Sequence, residues 1–218
     1  MPDLHLYFAP GACSLAPHIL LHEVNTPFTT TNLRASMQGI QFPPDFDKVN
    51  PKRKVPVLVQ DNSPITELPA IATAISHLKP DAHLMGATPM DTVRVYEWMN
   101  WLSGNLHTVG FAHLWGAARY TTSSDEAAVQ GIKEKAREVI ESGFEFIEGK
   151  LRDGKEFAVG DEFTAVDAFF FVLYRWGTLI GVDMKRHGKF TALVSGVLER
   201  PAVKAALKDE GIEFAIPN

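Results

Sequence analysis

The chain has 218 residues, of which 45% are hydrophobic and 22% are charged. These proportions are typical of an ordinary globular protein, with enough length for one large domain or two modest ones. Its 21 basic and 26 acidic residues give a net charge of −5, and the basic residues are scattered along the sequence. This balance argues against a surface for nucleic acid or anionic lipid.

The sequence contains one cysteine, Cys13. A single thiol excludes an internal disulfide framework and a cysteine-based metal cluster, and it is typical of a reducing compartment. The N-terminal segment MPDLHLYFAPG has no charged region followed by an apolar run, so we expect no signal peptide. Residues 98–118 contain no Asp, Glu, Lys or Arg but several other polar residues, which predicts a buried helix rather than a membrane span. We therefore predict a cytoplasmic protein.

Strand and helix patterns alternate in the first third of the chain. Residues 4–8 (LHLYF) predict a short strand, residues 14–24 a helix with Pro17 in its first turn, and residues 27–33 a second strand. After a polar loop, residues 55–59 (VPVLV) and the segment PITEL predict two more strands, and residues 69–78 predict a helix. The predicted order is β-α-β followed by β-β-α.

The remainder of the chain carries helical patterns. Residues 79–89 (KPDAHLMGATP) have two prolines, a glycine and little periodicity, which predicts a linker. Beyond it we predict helices at 90–118, 124–151 and 165–180, then two short ones, the second beginning at Pro201. The predicted organisation is an α/β domain at 1–79, a linker at 80–89 and an all-helical domain at 90–218.

Two of these helix starts have the spacing of a capping box. The pairs are Ser123 with Glu126, and Thr164 with Asp167. Because the helix after Thr164 is apolar nearly all round, we interpret Asp167 as a cap of a buried helix and not as a catalytic acid.

Cys13 follows the first predicted strand across a Pro-Gly turn and precedes Ser14, the predicted N-cap of the first helix. Free N–H groups and the helix dipole favour a thiolate there, so we expect a pKa below the ordinary value of about 8.5. The alternative is a small buried hydrophobic residue. A dithiol motif would need a second cysteine at position 16, where Ala16 stands, so Cys13 can pair only with an external thiol.

Two features farther along the α/β part are candidates for ligand binding. Pro56 stands within an apolar strand pattern, where a cis Val55–Pro56 bond would leave the Val55 N–H free to pair with an extended ligand. Glu67 stands just before a helix with Pro69 predicted at its first position. The Glu67 carboxylate either complements the helix dipole or holds the charged end of a ligand.

The long helix has an unusual second face, formed by Glu97, Asn100, Gly104 and His107. A polar face with small residues and a single charge is typical of a helix that lines a cleft. His107 is either a donor to a thiolate or an ordinary structural histidine. The eight histidines show no HExxH motif and we recognise no paired metal spacing, so we expect no metal.

Together these features resemble the cytosolic glutathione transferases over essentially the whole chain. The segments YFAPGACSLAPHILLHE and YEWMNWLSGNLH are most similar to the bacterial cysteine-containing (beta-class) members. The VPVL strand, the acidic residue before the next helix and the FTAVDA segment complete the match. The resemblance implies a thioredoxin-like β-α-β-β-β-α domain followed by an all-α domain, in a homodimer that binds glutathione as a co-substrate.

The resemblance also implies roles for individual residues. Cys13 would contact the glutathione sulfur or form a mixed disulfide with it, the Val55 backbone would pair with the cysteinyl unit, and Glu67 would hold the γ-glutamyl end. Candidate catalytic residues are Cys13, Ser14, His107 and Tyr7. The full set implied to bind glutathione is Ala12, Cys13, Lys54, Val55, Pro56, Glu67, Leu68, Asn100 and His107, with Asn100 supplied by either subunit. The electrophile would lie between the domains, near Phe111 and Trp115, unless these two aromatic residues belong to the core or to an interface.

The chain departs from the family pattern at three positions. Leu68 stands where Ser, Thr or Gly is usual, Ser36 where a basic residue is frequent (with Arg34 nearby), and Asn105 where Glu is common. The first two bear on glutathione affinity. Three hypotheses follow: a glutathione transferase acting on a small hydrophobic electrophile, a glutathione-dependent thiol–disulfide oxidoreductase using Cys13 as a monothiol, and a non-catalytic binding or regulatory protein on the same scaffold.

Overall fold

A mixed four-stranded sheet organises the N-terminal part of the chain. The computed structural model describes residues 2–33, 35–36 and 39–217, with only the backbone at positions 35 and 36. The strands are β1 (Leu4–Phe8), β2 (Thr29–Asn32), β3 (Ala35–Ser36), β4 (Gly39–Ile40), β5 (Val57–Gln60) and β6 (Ser63–Thr66). The sheet order is β2-β1-β5-β6, with β3 and β4 in a separate pair. Arg34, named above for its charge, lies outside the described residues.

Strand β1 is an inner strand because it pairs with a neighbour on each side. It pairs parallel with β2 and antiparallel with β5. Leu4, Leu6 and Phe8 point into the main core, against helix α1 (Leu15–Val24) and helix α2 (Leu68–Ser76). The thioredoxin-like order predicted from the sequence is confirmed. Helix α2 begins at Leu68, so Pro69 occupies its second position rather than the first.

All remaining helices follow residue 79. They are α3 (Pro89–Trp101), a π-helical segment (Leu102–Ala112), α4 (His113–Gly116), α5 (Glu126–Lys150), α6 (Ala165–Leu179), α7 (Gly188–Leu198) and α8 (Pro201–Glu210). Short 3₁₀ turns occur at Pro44–Lys48, Pro80–Ala82, Ala117–Tyr120 and Met184–Arg186. Among the described residues after 79 there is no strand, as the sequence predicts, and α8 begins at Pro201.

The predicted long helix at 90–118 is not uniform. Its middle adopts the wider π geometry, in which bonds join residues five apart. Thr108 Oγ1 donates to the Ser103 carbonyl at 2.7 Å, and His113 Nδ1 lies 2.7 Å from the Thr108 carbonyl. Helix α5 packs closely here, since a Cβ added to Gly110 would lie 2.8 Å from Ile140. The sequence prediction treats residues 90–118 as one helix, because no residue type marks a change from bonds four residues apart to bonds five residues apart.

The two predicted capping boxes have different outcomes. Thr164 and Asp167 form theirs at the start of α6, with Asp167 Oδ2 accepting from the Thr164 N–H at 2.8 Å. The box predicted for Ser123 and Glu126 is wrong. Helix α5 begins at Glu126, and its N-cap, two residues after Ser123, is Asp125, which accepts from the Ala127 N–H at 3.0 Å. An aspartate next to the helix competes directly for the same free donors.

The α/β part and the helical part share one continuous core. Helix α1 packs against α6 and α8 as well as against α2. In the predicted linker, Leu84 and Met85 are buried, and the Leu84 carbonyl accepts from the Ala165 N–H at 2.9 Å. The domain boundaries stay a prediction. None of the described helices is both long enough and apolar enough to cross a bilayer.

We expect Asp167→Asn to destabilise the chain by about 2–4 kcal/mol, measured by urea unfolding. Asp167 is fully buried, and its two oxygens accept from the Thr164 N–H, the Thr164 hydroxyl and the Ala158 N–H. An amide NH₂ in place of one oxygen would face a donor and leave it without an acceptor.

Asp91→Asn is the matched control, because Asp91 closes the same kind of box with Thr88 at the less buried start of α3. There we expect a loss below about 1 kcal/mol. Equal losses at the two positions would contradict a special role for the buried box.

Candidate active site

The turn that carries Cys13 is held by the helical part of the chain. The Gly11 carbonyl accepts from Trp176 Nε1 at 2.8 Å and from Arg175 Nη1 at 3.2 Å. The Gly11 N–H donates to Glu210 Oε2 at 2.7 Å. Gly11 has φ +70°, and a Cβ there would lie 2.9 Å from the Arg175 guanidinium. Left-handed backbone and close packing together require glycine at this position.

Ser14 has a structural position. It is the N-cap residue of α1, as predicted, but its side chain makes no capping bond. Its hydroxyl is fully buried, accepts from the Ala9 N–H at 3.1 Å and donates to the Ala9 carbonyl at 3.2 Å. These two bonds close the turn after β1. The hypothesis that the Ser14 hydroxyl activates a ligand sulfur is therefore corrected, because that hydroxyl is turned inward and already paired.

Cys13 is half-buried, and its thiol is neutral at physiological pH. Burial raises the pKa of Cys13 to about 12, while the N–H groups of Cys13 and Ser14 and the charge of Lys54 lower it by less. The expected lowering of the pKa at the helix start is wrong, because loss of hydration outweighs the helix N-terminus here. The thiol lies 3.5 Å from the Val55 carbonyl, in position to donate to it.

The loop before β5 presents backbone groups beside Cys13. The Val55–Pro56 bond is cis, as the sequence suggested, and the Val55 N–H has no hydrogen-bond partner among the described residues. Asn50, which is buried, accepts from the Lys52 N–H at 3.1 Å and donates to the Lys54 carbonyl at 2.9 Å. Asn50 thereby positions this loop. Sequence analysis missed it, although asparagine before Pro is a common turn residue.

Lys54 connects the loop electrostatically to the helical part. Its side chain lies on an exposed stretch, and its charge lowers the pKa of both Cys13 and His107. The charge of Lys54 would therefore favour negative charge near either group.

His107, on the π-helical segment, is uncharged at pH 7. Burial lowers its pKa to about 4, and the charge of Lys54 lowers it further. Its ring lies 5.4 Å from that of Trp176, the residue that binds the Gly11 carbonyl. A neutral imidazole keeps one N–H to donate and adds no charge.

Glu67, the N-cap residue of α2, has an unusual backbone conformation. Its φ of +70° is rare for a residue other than glycine, and such backbone is concentrated at functional positions. Its exposed carboxylate is ion-paired with Lys52, which also donates to Thr66 Oγ1 at 2.7 Å. Leu68 is buried in the main core, so a ligand at this position would meet its main chain rather than its side chain.

The remaining predicted residues are placed less closely. Tyr7 packs edge-on against Phe46 with ring centroids 5.4 Å apart, in a smaller core that Ala12 also borders. The Asn100 side chain is exposed on α3 and makes no hydrogen bond to the described part of the chain. The structure thus places Cys13 beside the Val55 carbonyl, while the charge of Lys54 acts on both Cys13 and His107, and it does not show Asn100 with them.

Phe111 and Trp115, predicted near the electrophile, differ in burial, and the role of Trp115 stays a prediction. Phe111 is fully buried between α5 and α6 and is not available to a ligand, which corrects its assignment. Trp115 is 53% exposed and packs against Trp176 at 4.8 Å. An apolar surface therefore lies one aromatic ring away from the Gly11 turn.

Comparison with known proteins bears on this arrangement. Residues 11–78 match the family model of the glutathione S-transferase N-terminal domain, and residues 112–201 match that of its C-terminal domain. Glutathione S-transferase GST-4.5 of Xanthomonas campestris pv. campestris is 32% identical over 96% of this chain and 100% of its own length. A bacterial beta-class glutathione S-transferase structure from Sphingomonas chungbukensis is 32% identical, with TM-score 0.80, over 96% of this chain and 100% of its own. A sphingomonad glutathione S-transferase complexed with glutathione is 30% identical, with TM-score 0.79 and the same coverage.

We expect Trp176→Phe to loosen the Gly11 turn, because it removes the indole N–H that binds the Gly11 carbonyl. Backbone N–H groups of residues 11–14 should exchange with deuterium faster, and the free energy of unfolding should fall by about 1–2 kcal/mol. Trp98→Phe is the control, since the Trp98 ring packs in α3 without a hydrogen bond among the described residues. The same exchange pattern in both variants would contradict the positioning role.

Proposed function

The chain belongs to the glutathione S-transferase family, and from that premise we propose how its residues divide the work of conjugating glutathione. The enzyme joins the glutathione thiolate to a small hydrophobic electrophile. The observation that carries the assignment is the Cys13 thiol at the start of α1, 3.5 Å from the Val55 carbonyl, with the charge of Lys54 acting on both Cys13 and His107.

The loop and α2 supply the binding groups for the tripeptide. The unpaired Val55 N–H and its carbonyl suit an extended peptide backbone, such as that of the cysteinyl unit. Glu67 suits the γ-glutamyl ammonium group, with Lys52 close enough to pair with a ligand carboxylate. The main chain of Leu68 adds a free N–H at the start of α2, which favours an anion.

Four features favour a glutathione thiolate at the start of α1. The helix N-terminus and the Lys54 ammonium stabilise negative charge. The Cys13 S–H and one N–H of neutral His107 are the candidate donors to the sulfur. The thiolate then attacks the electrophilic carbon, the leaving group departs with its electron pair, and the glutathione proton goes to solvent.

The high pKa of Cys13 favours conjugation over thiol transfer. With the pKa of Cys13 raised to about 12, little of this residue is thiolate near pH 7. Attack on a disulfide requires a thiolate, so the resting protein is poorly prepared for it. Cys13 thus acts as a neutral donor beside the ligand sulfur.

The proposal also covers the electrophile, the oligomeric state and the cellular location of the protein. Exposed Trp115, packed on Trp176, supports a flat hydrophobic or aromatic electrophile. Exposed Met90 and Val93 on α3, near Asn100 in sequence, support a homodimer that brings this face to a second copy. A single unpaired cysteine supports the cytoplasm, where glutathione is reduced.

The proposal is tested first on Cys13→Ala. We expect it to bind glutathione in a calorimetric titration and to conjugate an activated aryl halide within about tenfold of the wild-type kcat/KM, because one of several donors is lost. Incubation with oxidised glutathione should give a glutathione adduct on the wild-type chain at alkaline pH only. The Cys13→Ala variant should give no adduct at any pH. The adduct is measured by intact mass.

A wild-type chain that neither binds glutathione nor conjugates the halide would overturn the proposed function. If Cys13→Ala binds glutathione but loses conjugation completely, Cys13 is essential for catalysis. That result would contradict its role as one donor among several.

Lys54→Met tests the electrostatic part. Removing this charge should shift the midpoint of the kcat/KM profile to higher pH, because a nearby cation stabilises the thiolate over the thiol. Lys48→Met, an exposed residue paired with Asp45, should leave the midpoint unchanged.

Between pH 5.5 and 9 the wild-type profile should show one ionisation. His107 titrates near pH 4 and Cys13 near pH 12, so both lie outside this window. A second inflection near pH 6.5 would contradict the neutral state assigned to His107.

A further inference from the structure

A second cluster of chemically active side chains lies at the contact of α1 with α8. His18 and His22 are one helical turn apart on α1, with stacked rings whose centroids are 5.3 Å apart. Asp209, on α8, meets both. One nitrogen of each histidine and one oxygen of Asp209 lie within 4.8 Å of one another. These atoms take no part in the conjugation described above.

His18 is the residue that makes the cluster unusual. It is fully buried, and its Nδ1 lies 2.9 Å from Glu210 Oε1. A carboxylate only accepts, so Nδ1 carries a proton, and in the neutral tautomer with that proton Nε2 presents a lone pair. Nε2 has no hydrogen-bond partner among the described residues, and faces Asp209 Oδ2 at 3.7 Å. In that tautomer a cation between Nε2 and Asp209 Oδ2 would satisfy both atoms.

The distances suit a metal ion. Nitrogen and oxygen ligands bind tetrahedral zinc at about 2.0–2.1 Å, which places ligand atoms about 3.3 Å apart. Asp209 Oδ2 lies 3.7 Å from His18 Nε2 and 3.0 Å from His22 Nε2. The two separations bracket the tetrahedral value, so small side-chain movements would close the site.

We propose that His18, His22 and Asp209 bind one divalent transition-metal ion, for which zinc is the probe. Two imidazoles and a carboxylate are ligands that such ions favour.

The surroundings of the cluster match those of protein metal sites. A ligating histidine usually donates its other N–H to a carboxylate, as His18 does to Glu210. The charges of Asp209 and Glu210 together balance a divalent ion. The cluster borders a surface cleft of about 590 Å³, which His22 and Asp209 line together with Asn25, Thr26, Pro27, Phe28 and Thr30. The cleft gives an ion a path of entry and leaves room for a water ligand.

Metal at this position would strengthen the contact that holds the Gly11 turn. Glu210 binds both His18 and the Gly11 N–H, so an ion joining α1 to α8 acts on the same residue pair. An ion that binds the folded chain and not the unfolded chain raises Tm. The readout is therefore available without any assay of activity.

The interpretation of the histidines from sequence needs correction. We recognised no paired metal spacing, yet His18 and His22 are four residues apart on one helix, which is such a spacing. The third residue, Asp209, is 187 residues from His22 along the chain and only the fold brings it near.

The test is a calorimetric titration of zinc into the tag-free chain without glutathione, with circular dichroism to verify folding. We expect one zinc per chain, and a rise in Tm of about 5–10 °C at free zinc about 100-fold above Kd. His22→Gln and Asp209→Asn should each weaken binding by at least about tenfold. Both side chains are partly exposed, so both variants should fold.

Two controls separate this site from other zinc ligands. His83→Gln removes a surface histidine that pairs with Glu162 and should leave zinc affinity unchanged. Cys13→Ala should also leave it unchanged. The proposal is overturned by absence of zinc binding, by unchanged affinity in His22→Gln and Asp209→Asn, or by loss of binding in Cys13→Ala. Absence of zinc binding would indicate that a shared proton, and not a metal ion, lies between His18 Nε2 and Asp209 Oδ2.

Discussion

The site depends on the backbone N–H and carbonyl of Gly11, both of which form hydrogen bonds with residues of the helical part of the chain. Its carbonyl accepts from Trp176 and Arg175, and its N–H donates to Glu210. These partners are 164 to 199 residues away in sequence. Because the contacts are partly buried, each lost bond would leave a polar group without a partner. The Cys13 turn is thus oriented by α6 and α8 as much as by β1 and α1.

Burial and charge are divided among the groups that we propose to surround the glutathione sulfur. Burial keeps both Cys13 and His107 neutral, although each would be more easily ionised in water. Lys54 supplies the positive charge from an exposed loop, where it costs little to hydrate. Two neutral donors and one cation favour an anion in their midst. A charged Cys13 would repel the same anion, so the high pKa of this thiol is consistent with conjugation.

Helix α1 serves three purposes along its length. Its N-terminus faces the site, its apolar residues fill the core between sheet and helices, and His18 and His22 face α8. The same helix contacts α2, α6 and α8. A change in the α1–α8 contact, by metal or by mutation, would reach the Cys13 turn through Glu210.

Local patterns in the sequence determined the order of strands and helices, the cap at Thr164 and the position of Cys13 at the start of a helix. These features depend on near neighbours, whose spacing is visible in one dimension. The residues themselves indicated Val55 and His107 as candidates, and the family resemblance added Lys54.

Only the tertiary structure decided the protonation of Cys13, the burial of Phe111, the inward hydroxyl of Ser14 and the roles of Asn50, Trp176 and Glu210. It also decided that Asp209 meets His18 and His22. Each of these depends on which distant elements pack together, since burial and long-range hydrogen bonds set hydration and therefore pKa and accessibility. A sequence read alone contains the residues but not those distances.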